Sequence, residues 1–163
     1  MVSNISDRLG KIQSEFIDMI LKARFENPYR GDLRDYLLIH SASCAQLAKI
    51  LAIKRGVDIE LSAVIGLIHD IGKIITGKKK DHAADGDIPA RELLKKIGGF
   101  SEDEIDLISN AVKNHSDKEN IGTWADEIAK DVDVIDCDLM GMKFEKKEYN
   151  ERIEKVKKEL GID

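Results

Sequence analysis

The chain reads as an all-α, single-domain bundle of six to eight helices. Three observations predict this class. Apolar residues recur at helical spacing along most of the chain. No segment alternates apolar and polar residues long enough to make a strand, and no hairpin dipeptide separates β-branched runs. The chain has only 2 prolines and is rich in Ile, Leu, Lys, Glu and Ala. Its 163 residues suffice for one core without staples.

The first helix is expected over residues 3–25, where Ile5, Leu9, Ile12, Phe16, Met19 and Ala23 repeat in steps of four and three. Ser3 or Asn4 can cap it. Its stripe suits the core, or a second copy in a homodimer. Asn27-Pro28-Tyr29-Arg30-Gly31 makes a loop. A long helix follows from Leu33 to Arg55, with Asp32 as N-cap and Gly56 as C-cap. It carries His40 on a face with Tyr36, Leu37, Cys44 and Leu47.

Residues 60–71 form a helix apolar on all sides, and such a helix is buried. It delivers His69 and Asp70 at its end, and Gly72 is expected to stop it. Lys73 to Asp81 reads as a lysine-rich loop. His82-Ala83-Ala84-Asp85-Gly86 opens the next helix, which runs to Ile97 with Ile88, Leu93, Leu94 and Ile97 inward and Pro89 in its first turn or at a kink. Ser101-Glu102-Asp103-Glu104 is a capping box. The helix it opens ends at His115. Residues 123–140 are helical, with a break near Lys130, and contain Asp131, Asp133 and Asp136. A final charged helix spans 145–160, with Tyr149, Ile153, Val156 and Leu160 on one side.

A net charge of -5 argues against general coating of nucleic acid, while leaving room for a local basic pocket. No apolar run approaches the ~18 residues of a membrane span, and no signal peptide is evident. The 2 cysteines, Cys44 and Cys137, lie in apolar segments and read as buried thiols of a reducing, cytoplasmic compartment.

His69 and Asp70 emerge together from an apolar helix, and burying an ionised carboxylate is costly unless it is paired or coordinated. The other histidines, His40, His82 and His115, belong to neighbouring helices, and Asp133 to the next. They lie too far apart in sequence for local pairing but suit helices converging on one point, as in other helical metalloproteins.

This pattern resembles the HD domain superfamily of metal-dependent phosphohydrolases. His40, His69-Asp70 and Asp133 match its signature in order, and Gly66-Leu67-Ile68-His69-Asp70-Ile71-Gly72-Lys73 matches its central motif. Lys130-Asp131-Val132-Asp133-Val134-Ile135-Asp136 resembles the distal motif, with Asp136 as the alternative ligand. His82 and His115 fall where some members place a second metal, as in dinucleoside-polyphosphate hydrolases. The Gly-Tyr-Pro motif of the HD-GYP branch is missing.

The resemblance implies a core over 35–140, with 1–30 and 143–163 as flanking helices. It implies one or two divalent ions of iron, manganese, cobalt, nickel or zinc. His40, His69, Asp70 and Asp133 would hold the first, and His82 and His115 the second, with Asp70 bridging. Metal-activated water would attack phosphorus in a nucleotide or other small phosphate ester, and Lys73 would neutralise the developing charge. Two alternatives share the ligand set: a mixed-valence di-iron oxygenase and a non-catalytic metal-binding or scaffold module. Trp124, Tyr29 and Tyr36 are candidates for stacking on a base.

Overall fold

A computed structural model describes residues 7–23, 30–78 and 80–162. Ser3, Asn4, Asn27, Pro28, Tyr29 and Lys79, and the expectations placed on them, lie outside the described residues. Nine helical segments and no strand occur among the described residues, and all but two of the segments run ten residues or more.

Helix α1 (Asp7–Lys22) turns Leu9, Ile12, Phe16 and Ile20 onto the core, where it meets α2 (Arg30–Arg55), α3 (Ile59–Ile68) and α6 (Asp87–Ile97). Helix α2 starts earlier than expected, so Asp32 is inside the helix and not its cap. Gly56 ends it in the left-handed region. Leu37, His40, Cys44, Ala48 and Leu51 are buried. Ile39 is exposed, since two residues on from Leu37 is about 200° around the helix. Leu33–Arg55 is, by length and composition, long and apolar enough to cross a membrane, which corrects the expectation that no stretch approaches this. Here that apolarity serves the bundle, for α2 lies along α3 and α8 (Trp124–Leu139) at its centre.

Helix α3 is capped by Asp58, whose side chain accepts from the Leu61 backbone N–H at 2.7 Å. Leu61 to Ile68 are all buried. The helix stops at Ile68, and after His69 and Asp70 a new helix, α4 (Ile71–Thr76), begins. Gly72 therefore does not end a helix. It lies inside α4, where an added Cβ would sit 1.8 Å from the His82 carbonyl oxygen. Its role is close approach to α5 (His82–Asp85). The expected loop at 73–81 is half helix, and Gly77 closes α4 in the left-handed region.

The expected single helix from His82 is two, α5 and α6, joined at Gly86. Pro89 falls in the first turn of α6, and Ile88 faces solvent instead of the core. Helix α7 (Glu102–Asn114) opens with both bonds of the Ser101–Glu104 capping box. Helix α8 has a second capping box, Thr123–Asp126, and runs unbroken through Lys130. No break is needed there because the buried Lys130 side chain reaches the Asn120 carbonyl at 2.7 Å. Helix α9 (Lys147–Leu160) packs on α8 through Ile153 and Val156.

Candidate metal centre

Four helix ends and two helix interiors deliver the site. His40 projects from the middle of α2 and Asp133 from the middle of α8. His69 and Asp70 form the turn between α3 and α4, His82 opens α5, and His115 follows α7. Each imidazole presents Nε2 to a common space. His40 Nε2 lies 3.1 Å from His69 Nε2, and His82 Nε2 lies 3.0 Å from His115 Nε2.

Asp70 stands between the two pairs. Its Oδ2 is 3.7 Å from His40 Nε2 and 3.6 Å from His69 Nε2. Its Oδ1 is 3.1 Å from His82 Nε2 and 3.5 Å from His115 Nε2. Asp133 Oδ1 joins the first pair, 3.3 Å from His40 Nε2 and 3.7 Å from His69 Nε2. All six residues singled out in the sequence are thus brought together. Asp136 is not at this centre. It accepts a hydrogen bond from His40 Nδ1 at 2.6 Å and another from the Ser43 hydroxyl.

The protonation pattern fits a cation. His69 Nδ1 donates to the Gly66 carbonyl at 2.8 Å, and His115 Nδ1 to the Val112 carbonyl at 2.6 Å. A carbonyl only accepts, so the proton of each neutral ring is on Nδ1 and Nε2 is left as a lone pair. Burial lowers the pKa of His115 to about 4, which keeps that ring neutral. Nitrogens this close would both be within reach of one cation, for which metal–nitrogen bonds run ~2.0–2.1 Å. Asp70 Oδ1 is buried and receives no well-directed hydrogen bond, although His82 is near. A buried carboxylate oxygen left this way calls for a positive partner.

The charges around the centre agree. Burial opposes ionisation of Asp70, but His69 and Lys73, with the His115 and His82 rings, hold its pKa well below the usual carboxylate range. Asp133 is partly buried, which opposes its ionisation, yet Lys118 and the His40 and His69 rings hold its pKa well down. Burial lowers the His40 pKa, but the Cys44 sulfur and hydrogen bonds to Asp133 and Asp136 raise it overall.

Lys73 Nζ lies 2.6 Å from Asp70 Oδ2, paired with the carboxylate rather than reaching into open space. Burial lowers its pKa, but the charges of Asp70 and Asp133 raise it above the ordinary value. Lys118 was missed in the sequence, where it stood in a polar loop. It is buried, and its Nζ donates to Asp133 Oδ2 at 2.6 Å, the His115 carbonyl at 2.7 Å and the Lys130 carbonyl at 3.3 Å. No local pattern announces it. Tyr36 stacks on His40 with centroids 5.0 Å apart, so one of its faces is already covered. Its hydroxyl meets Cys137 Sγ at 3.5 Å. Cys44 and Cys137 are free and buried, as expected.

The profile of the HD domain matches residues 37–141. Among curated proteins, the chain is similar to Ribonuclease Y of Fervidobacterium nodosum, 32% identical over 152 residues, covering 91% of this chain and 26% of the relative. It is 33% identical over 134 residues to Ribonuclease Y of Mycoplasma mycoides, covering 82% and 27%. Ribonuclease Y of Aquifex aeolicus is 26% identical over 175 aligned positions, covering 94% and 30%. The chain therefore spans less than a third of the length of these relatives. No solved structure matches.

Proposed function

The chain belongs to the HD domain family, and from that membership we propose that it is a metal-dependent phosphohydrolase acting on phosphate esters of nucleotides. The observation that carries this reading is the Asp70 carboxylate, with one oxygen toward His40 and His69 and the other toward His82 and His115. His40, His69, Asp70 and Asp133 would hold one divalent ion. His82, His115 and Asp70 would hold a second. Imidazole and carboxylate donors suit iron, manganese, cobalt, nickel or zinc. Such ions supply Lewis acidity toward phosphoryl oxygens and lower the pKa of water.

The protein's own groups do the rest. Gly66, Val112 and Asp136 fix the rings through Nδ1, so each Nε2 is aimed before any ligand arrives. Lys118 holds Asp133 Oδ2, which leaves Oδ1 toward the histidines. Lys73 would exchange Asp70 for a phosphoryl oxygen and offset its developing charge. The name Ribonuclease Y supports a phosphodiester as the first substrate to test. Two buried free thiols support a reducing, cytoplasmic setting.

Hydrolysis of bis(4-nitrophenyl) phosphate, set against 4-nitrophenyl phosphate, separates diesterase from monoesterase action. Asp70→Ala is expected to abolish turnover and bound metal together. Turnover retained by metal-loaded Asp70→Ala protein contradicts the proposal. Oxygen consumption without phosphate release would favour the oxygenase alternative.

A further inference from the structure

A half-buried ring on the last helix lies next to the candidate centre and takes no part in the site described so far. Tyr149, in the first turn of α9, tilts against Phe144 with centroids 4.9 Å apart. Asn150 fixes the connection before α9 by donating to the Phe144 carbonyl at 3.0 Å and the Lys146 carbonyl at 3.2 Å. The ring therefore has a defined place. Lys118 Nζ is 5.7 Å from its centroid, and the same ammonium touches Asp133 Oδ2. One lysine head thus stands between the aromatic ring and the carboxylate of the centre. Burial raises the Tyr149 pKa, and the charge of Asp133 raises it further, consistent with that closeness. A second cation, Lys146 Nζ, lies 5.6 Å from the centroid. Its side chain is exposed, so it can leave the ring to meet an anion.

We infer that Tyr149, backed by Phe144 and flanked by Lys146, is a stacking platform for the base of a nucleotide whose phosphate occupies the His40–His69–Asp70–Asp133 centre. This deepens the hydrolase reading and rests on it. An aromatic face beside cations is the sequence-tolerant way to hold a nucleobase, since every base has a π-face. Within the nucleotide substrates proposed above, this names the group that would hold the base and favours substrates whose base lies close to the scissile phosphate. Tyr36 stacks on the proposed ligand His40 and so is placed to hold that imidazole rather than a base.

The test compares adenosine 5′-monophosphate with ribose 5-phosphate by calorimetry on the protein as purified. The two ligands share a phosphate and a sugar and differ in the base. Stacking of one base predicts that the nucleotide binds the wild type roughly tenfold tighter or more. Tyr149→Phe should keep that margin. Tyr149→Leu, which fills the space against Phe144 without a π-face, should remove it and leave ribose 5-phosphate affinity unchanged. Equal affinities in the wild type overturn the platform while sparing the phosphate site, and this comparison needs no variant to fold. A margin that survives Tyr149→Leu also overturns it. Failure of both ligands to bind removes the platform, whereas the hydrolase reading is overturned separately by absence of metal-dependent bis(4-nitrophenyl) phosphate and 4-nitrophenyl phosphate turnover.

Discussion

His40 shows how one residue is prepared for a metal. Asp136 accepts the hydrogen bond of its Nδ1, the Ser43 hydroxyl donates to Asp136, and Tyr36 lies flat against the ring. Only Nε2 is left facing the other ligands. Asp136→Ala removes the orienting carboxylate without touching a proposed ligand. It is expected to weaken metal binding by about 10–100-fold, read from metal titrations of the apo protein. His115 makes a prediction about pH. Its pKa is lowered from 6.5 to about 4 by burial, so between those values the unfolded chain binds more protons than the folded one. Stability of the metal-free protein should therefore fall as pH drops from 6.5 toward 4, and chemical denaturation at stepped pH measures it. Asp70 and Asp133, with pKa values held low, add a separate loss only below their ordinary value of 3.8. The distinction between Asp133 and Asp136 was closed to the sequence. They lie three residues apart on one helix face, and only side-chain placement separates ligand from support. Lys118 was closed as well, because its partners come from His115 and from α8, not from its neighbours.

At the scale of elements, the glycines set the geometry of the site. Gly72 lets α4 lie against α5, and with a Cβ in place the His82 carbonyl would be only 1.8 Å away. Gly72→Ala should cost about 3 kcal/mol or more in urea unfolding, since backbone must move. It should also lower metal content through displacement of His82. Gly66 plays the matching part between α3 and α2, where a Cβ would approach the Cys44 carbonyl oxygen to 2.6 Å. The apolar run Ala63–Ile68 made α3 legible, because residues apolar on every side have only the core to occupy. The break after Ile68 was not legible. Helical propensity continues through Ile71, and what ends α3 is the tertiary demand that His69 and Asp70 turn toward the centre. Helix α9 is tied to α8 by Arg152, which bonds Glu127 at 2.8 Å, Asp131 at 2.9 Å and the Lys118 carbonyl at 2.7 Å. Arg152→Ala would strip a buried carboxylate of one partner, although Arg55 and Lys155 still reach Asp131. A loss of about 3 kcal/mol is expected from denaturant unfolding.

For the whole molecule, four histidines and two aspartates scattered across the chain have no local reason to meet. Their types and order were readable in the sequence, together with the all-helical class, because helix period and metal-competent side chains are written locally. Their meeting is a property of the bundle, in which α2, α3, α7 and α8 pack together and bring the buried His40, His69, Asp70 and His115 to one place. A centre built from so many elements should couple metal binding to folding. Metal at 100 times its dissociation constant should stabilise the fold by about 2.7 kcal/mol, seen as a rise in Tm. The central claim is that these side chains hold divalent cations, and elemental analysis of the protein beside Asp70→Ala, both grown with iron, manganese and zinc, tests it most directly. At least one transition-metal ion per wild-type chain, lost in Asp70→Ala, is predicted; wild-type protein free of metal, or a variant with unchanged content, would contradict it.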